Sequence, residues 1–183
     1  MVWNFWCGRG RGKRSASPGR RMEKRKSPRL QGYDYSMAGV YFMTICTLSR
    51  RNLFWGDGYE NTNQISYPEC LNTTGRKVVD LVAMVSRGFD SLTVHNFVVM
   101  PDHIHFLVQI EGFQENRTKI TDFIAVLKSL ISKEIHKIDG NIQVWQRSFH
   151  DRIVRNEEEM ERISLYIDMN PENWIEASEI PDF

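Results

Sequence analysis

The chain has 183 residues, 41% of them apolar, with 24 basic and 23 acidic side chains and three cysteines. This length and apolar content suit one globular domain and exclude both a disordered chain and a membrane bundle. No stretch is apolar enough to span a bilayer, Val2-Trp3-Asn4-Phe5-Trp6 is too short and polar for a signal-peptide core, and Cys7, Cys46 and Cys70 lie too far apart for a disulfide framework, so a reduced, cytoplasmic protein is expected.

The net charge of +1 conceals an asymmetry. Residues 1–31 carry ten basic side chains against one acid, Glu23, which leaves the remainder at −8. This Gly-, Arg-, Ser- and Pro-rich leader has too little apolar surface to fold and is expected to be disordered. It suits a polyanion-binding arm. A solvated tail, or translated sequence ahead of a natural start at Met22, are the alternatives. Residues 32–183 are expected to form one domain.

Val40 to Thr47, rich in β-branched and aromatic residues after Gly39, predicts a buried strand. Residues 49–70, with Gly56, Gly58, several Asn and Pro68, predict a loop. Val78, Val79, Leu81, Val82 and Val85 have helical spacing over Arg76–Arg87, with an N-cap in Asn72-Thr73-Thr74 and a stop at Gly88. Leu92–Met100 and His103–Ile110 predict two strands joined by Pro101-Asp102. A second helix runs from about Thr121 to Ile138, capped by Thr121 or Asp122. Gln143–Gln146 and Asp151–Val154 are short extended pieces. A last helix starts near Asn156, with Glu157, Glu158 and Glu159 favouring its N-terminal dipole, and is expected to stop near Pro171. The order β-α-β-β-α-β-α predicts an α+β, ferredoxin-like (split βαβ) antiparallel sheet, with helices on one face and an added C-terminal helix.

Two groups of residues carry candidate chemistry. His103 and His105 flank Ile104 on a strand, and the two-residue period sends both imidazoles to one face. Paired neutral imidazoles can hold a metal, although one packed and one exposed histidine would also fit the pattern. Tyr166 and Asn170 share a helix face at i and i+4. A phenol is a covalent nucleophile once its proton is removed or a cation stabilises the phenolate, and an Asn carbonyl suits a hard cation. An amphipathic core tyrosine and a simple Asn-Pro helix stop would give the same letters.

Taken together, the motifs resemble a known family. Val98-Val99-Met100-Pro101-Asp102-His103-Ile104-His105 is similar to the His-hydrophobic-His strand of the HUH single-tyrosine transposases. Leu30-Gln31-Gly32-Tyr33-Asp34-Tyr35-Ser36 before Tyr41–Thr47, Lys128-Ser129, Val144–Asp151, and Ile153–Glu158 followed by Tyr166-Ile167-x-x-Asn170-Pro171 resemble one subgroup, the REP-associated tyrosine transposases. The resemblance covers about residues 28 to 175 with the motifs in order.

It implies a domain that cuts and rejoins single-stranded DNA at hairpin-forming repeats. His103, His105 and Asn170 match the metal site for Mg²⁺ or Mn²⁺. Tyr166 matches the nucleophile that forms a 5′-phosphotyrosine and releases a 3′-hydroxyl. Arg147, Arg152 and Lys128 are candidate DNA contacts; Trp145 is expected in the core, while Phe149 could stack on unpaired bases. The family implies action as a monomer or a homodimer, the latter with the tyrosine serving the partner's histidines. A protein that binds repeat hairpins without cutting them is the alternative function.

Overall fold

The computed structural model describes residues 33–57, 67–112, 119–140 and 142–179. The basic leader and residues 58–66 of the expected loop lie outside them. The elements in chain order are β1 (Gly39–Cys46), α1 (Thr73–Ser86), β2 (Leu92–Val99), β3 (His103–Ile110), α2 (Ile120–His136), β4 (His150–Val154) and α3 (Glu157–Glu179), with a short 3-10 turn at Leu48–Arg50. The four strands form one sheet in the order β2-β3-β1-β4, and every neighbouring pair is antiparallel. This is the split βαβ arrangement: each α1 or α2 crossover joins strands separated by one inserted strand.

Side-chain alternation divides the sheet into two faces. Met43 and Ile45 of β1 pair with Phe106 and Ile104 of β3 on one face. There Phe106 meets Phe123 of α2 edge-on at 6.0 Å, and α1 packs beside α2. Phe42, Thr44 and Cys46 pair with Leu107, His105 and His103 on the other. That second face is covered by α3, whose Tyr166 ring lies against both Phe42 and His105. The result is three layers, with α1 and α2 on one side of the sheet and α3 on the other.

Local sequence explains the helix starts. Asn72 caps α1, its side chain accepting from the Gly75 amide at 2.8 Å. Gly75 is dictated by packing: a Cβ there would lie 2.2 Å from the Phe54 carbonyl oxygen. Asn156 accepts from the Glu159 amide at 2.8 Å, and Glu159 accepts from the Arg155 amide at 2.9 Å. That exchange is a variant of the capping box, tying the entry of α3 to its first turn. α2 begins at Ile120, one residue before the expected caps, and its N-cap, Lys119, makes no side-chain capping bond.

One boundary departs from expectation by more than a turn. α3 does not stop near Pro171 but runs through it to Glu179. A proline inside a helix removes one backbone hydrogen bond and crowds the preceding turn, at a cost of about 3 kcal/mol. Here Trp174 and Ile175 continue the inward face beyond it and pack against the core, so tertiary burial overrides the local stop signal.

Candidate active site

The end of the β2–β3 hairpin sets the height of the two histidines. The Met100 amide donates to the His103 carbonyl across the turn at 2.9 Å. The Asp102 carbonyl accepts from both the amide and the hydroxyl of Thr47, at 2.9 and 3.0 Å, which ties the turn to the end of β1. Trp55 donates its indole N–H to the Val99 carbonyl at 2.7 Å from beneath.

Both imidazoles are buried, and both are held at their Nδ1 side. His103 Nδ1 lies 2.5 Å from Asp102 Oδ1, and Arg50 approaches the same carboxylate oxygen at 3.2 Å. His105 Nδ1 lies 2.7 Å from the Thr44 hydroxyl, its cross-strand partner on β1. The two Nε2 atoms face one another at 3.1 Å. Since Asp102 only accepts, His103 carries its hydrogen on Nδ1 and offers a lone pair at Nε2. Burial above all, then the neighbouring His103 ring and the Arg50 guanidinium, hold His105 well below the usual imidazole value of 6.5, so it stays neutral.

This pair fits a divalent cation. Two neighbouring ligands of an octahedral cation at roughly 2.1 Å stand about 3 Å apart, close to the spacing of the two Nε2 atoms. Their outer nitrogens are already oriented by a carboxylate and a hydroxyl, the usual support of metal-binding imidazoles. Among the described residues no group of three His, Cys, Asp or Glu side chains comes together.

α3 supplies a further candidate ligand. Tyr166 stands edge-on to His105 with ring centroids 5.6 Å apart, and Trp174 lies 5.7 Å from His103. Asn170 sits between these two on the same helical stripe, buried, with its amide nitrogen donating to the Tyr166 carbonyl at 3.3 Å. The structure therefore brings Tyr166, Asn170, His103 and His105 to one face of one chain. The three candidate DNA contacts are placed differently. Lys128 donates to the carbonyls of Gln146 and Ser148 at 3.1 and 2.5 Å and lies 5.7 Å from the Trp145 ring. Arg152 pairs with the Glu159 carboxylate beneath α3. Arg147 is exposed. Trp145 is buried as expected, its indole donating to the Lys128 carbonyl at 3.0 Å. Phe149 is buried too, edge-on to Tyr35 at 5.9 Å, and so is not placed to stack on a base.

Sequence reasoning missed Asp102, Thr44, Arg50 and Trp174. Asp102 adjoins His103 and was legible as its orienting carboxylate. Thr44 becomes visible only once the β1–β3 register is known, and Trp174 was hidden behind the supposed stop at Pro171.

A split βαβ sheet presenting oriented, paired imidazoles to a tyrosine on a covering helix defines a His-hydrophobic-His, single-tyrosine domain. The chain belongs to the IS200-like transposase family, whose profile matches residues 40–170. It is 28% identical over 168 residues to an uncharacterized protein of Haemophilus influenzae, spanning 82% of this chain and 89% of that one. It is 27% identical over 148 residues to a second H. influenzae protein, provisionally named a REP-associated tyrosine transposase, spanning 75% of this chain and 73% of that one. The fold is that of a REP-associated tyrosine transposase solved bound to a REP hairpin: the TM-score is 0.55 at 16% identity, covering 80% of this chain and 74% of that one. The resemblance drawn from the motifs is met by these relatives. Among the described residues, no helix is long and apolar enough to cross a membrane.

Proposed function

We propose that this transposase-family chain is a metal-dependent endonuclease and strand transferase for single-stranded DNA, acting on hairpin-forming repeats. One observation carries the reading: the Tyr166 ring packs against His105 of the same chain, at the imidazole pair whose Nε2 atoms stand 3.1 Å apart. One copy holds the whole set of residues, so a monomer suffices. The hairpin substrate is taken from the solved structural relative, which is bound to one.

His103 and His105 would hold Mg²⁺ or Mn²⁺, with the Asn170 carbonyl oxygen as a third protein ligand. When bound, the cation would withdraw charge from the scissile phosphate. The Tyr166 phenol gives up its proton and its oxygen forms a bond to phosphorus. The bond from phosphorus to the 3′ oxygen breaks, that oxygen takes up a proton, and the 5′ end stays linked to Tyr166. The phosphoester is conserved, so a 3′-hydroxyl can reverse the step onto another end. Asp102 and Thr44 hold the imidazoles in orientation throughout. The basic leader adds affinity for the backbone.

Tyr166→Phe tests this reading. It removes only the phenolic oxygen, so it should abolish the denaturation-resistant protein–DNA adduct formed on a labelled single-stranded hairpin with Mn²⁺, while leaving hairpin binding within about twofold of wild type. An adduct that persists in Tyr166→Phe overturns the role of Tyr166. A wild-type protein that binds the hairpin and never shortens it, with either metal, leaves the non-cutting hairpin binder instead.

A further inference from the structure

β2 contains an irregularity that strand periodicity alone does not predict. Val94 pairs with Val108, but Asn96 pairs with Leu107, so His95 is an extra residue in the ladder. Without this bulge Asn96 would share the face of Val94, toward α1 and α2. The bulge turns it to the face covered by α3. There its side-chain amide donates to the Ser164 hydroxyl at 2.9 Å and to Asp168 Oδ1 at 2.8 Å, with a longer approach of 3.4 Å to the Ser164 carbonyl. Ser164 and Asp168 lie two residues to either side of Tyr166.

We infer that Asn96 is a positioning residue for the tyrosine: it clasps α3 at Ser164 and Asp168, a turn apart on one flank of the helix and bracketing Tyr166 in sequence, and so sets the distance from the phenol to the histidine pair. This rests on the proposed nucleophilic role of Tyr166. An amide nitrogen has two hydrogens, so one side chain satisfies a hydroxyl and a carboxylate together. The clasp lies on the strand beside β3, so it fixes α3 against the sheet through bonds within the protein. A displacement of about 1 Å at a reacting group costs on the order of a hundredfold in rate, whereas binding made elsewhere is unaffected.

The test compares wild type, Asn96→Ala, Asn96→Asp, Asp168→Asn and the double variant Asn96→Asp/Asp168→Asn. Single-turnover cleavage of a saturating single-stranded hairpin is measured with Mn²⁺, alongside hairpin affinity and hydrogen exchange of the α3 amides. Asn96→Asp sets two carboxylates together and should slow cleavage at least about tenfold with affinity changed less than about twofold. The double variant exchanges donor and acceptor and should recover most of the rate. Asp168→Asn alone leaves Asn96 an amide oxygen to donate to and should cut near the wild-type rate. In Asn96→Ala, exchange over residues 164–170 should rise relative to α1, a readout that needs no activity. The inference fails if Asn96→Ala and Asn96→Asp cut at the wild-type rate, if the double variant is as slow as Asn96→Asp, or if α3 exchange is unchanged. A wild-type protein that forms no Tyr166 adduct defeats the nucleophile reading instead, and the exchange measurement still decides the clasp.

Discussion

The Thr44 hydroxyl occupies an unusual position for so small a group. It faces His105 Nδ1, the imidazole nitrogen that must take up the hydrogen from Nε2 if the pair is to hold a cation. With His103 Nε2 bare, the 3.1 Å approach of the two rings places a hydrogen on His105 Nε2, and Thr44 then donates to His105 Nδ1. A cation at Nε2 requires the other tautomer, in which Nδ1 donates to the same hydroxyl. A hydroxyl serves both states by rotating, which neither a carboxylate nor an amide nitrogen does. Thr44→Val keeps the shape and removes that ability. It should lower Mn²⁺ affinity about 10–100-fold and stability by about 1–3 kcal/mol, because a buried nitrogen loses its partner. Titration calorimetry and urea unfolding measure the two effects, and Thr44→Ser should restore most of both. At this scale the sequence displays the actors but not their partners. The two-residue spacing of His103 and His105 is enough to place them on one face. The pairing of Thr44 with His105 depends on strand register, which is set by the whole sheet.

The elements legible in the sequence are those whose local chemistry and burial agree. Asn72 before α1 and the near-continuous apolar run of β1, buried on both faces, are of this kind. α3 is different at both ends. Its N-terminal acids have the pattern of dipole partners, yet Glu159 is buried and takes the Arg155 amide and the Arg152 guanidinium. The backbone hydrogen bond first, then the charge of Arg152, holds the Glu159 carboxyl below its ordinary value of 4.5. As pH falls, the unfolded chain therefore takes up this proton first, and protonation favours unfolding. The stabilisation from Glu159 is complete above about pH 4.5 and disappears as pH drops through its lower folded value. Wild type should lose urea stability between about pH 6 and 3.5 more steeply than Glu159→Gln, which should start less stable at about pH 6 by about 1 kcal/mol. At the other end, proline chemistry read alone ends α3 a turn or more too early. What it omits is the inward row of Tyr166, Asn170 and Trp174, visible only when residues on both sides of Pro171 are seen to face the same sheet.

For the whole molecule, charge and fold pull apart. Residues 32–183 carry the excess acid, while ten cations sit in residues 1–31. Two of the three basic residues expected to meet DNA, Lys128 and Arg152, are engaged within the protein itself. Of the three, Arg147 alone is exposed, and on the proposed function the leader supplies the densest run of cations for a nucleic-acid backbone. Deleting residues 1–31 should weaken hairpin binding. It should also flatten the slope of log affinity against log salt by about 0.7–0.9 for each phosphate that the leader neutralises. Fluorescence anisotropy across a salt series measures this, and an unchanged slope would mean that the leader touches no phosphate. The layered architecture itself was legible, because element order and strand topology are coupled by chain connectivity. The side on which α3 lies was not, since nothing in a linear pattern says which surface of a four-stranded sheet a seventh element will cover.

The single surplus residue in β2 has a consequence for how this protein tolerates change. A strand behaves like a row of tiles laid alternately face up and face down, and His95 is the place where the count restarts. Deleting any one residue between Leu92 and Asn96 would not merely shorten an edge. It would either turn Leu92 and Val94 away from the layer they fill or swing Asn96 away from Ser164 and Asp168. Substitutions at His95 itself, an exposed side chain whose partner is Gln109, should be absorbed easily by comparison. In this stretch the number of residues matters more than their identity.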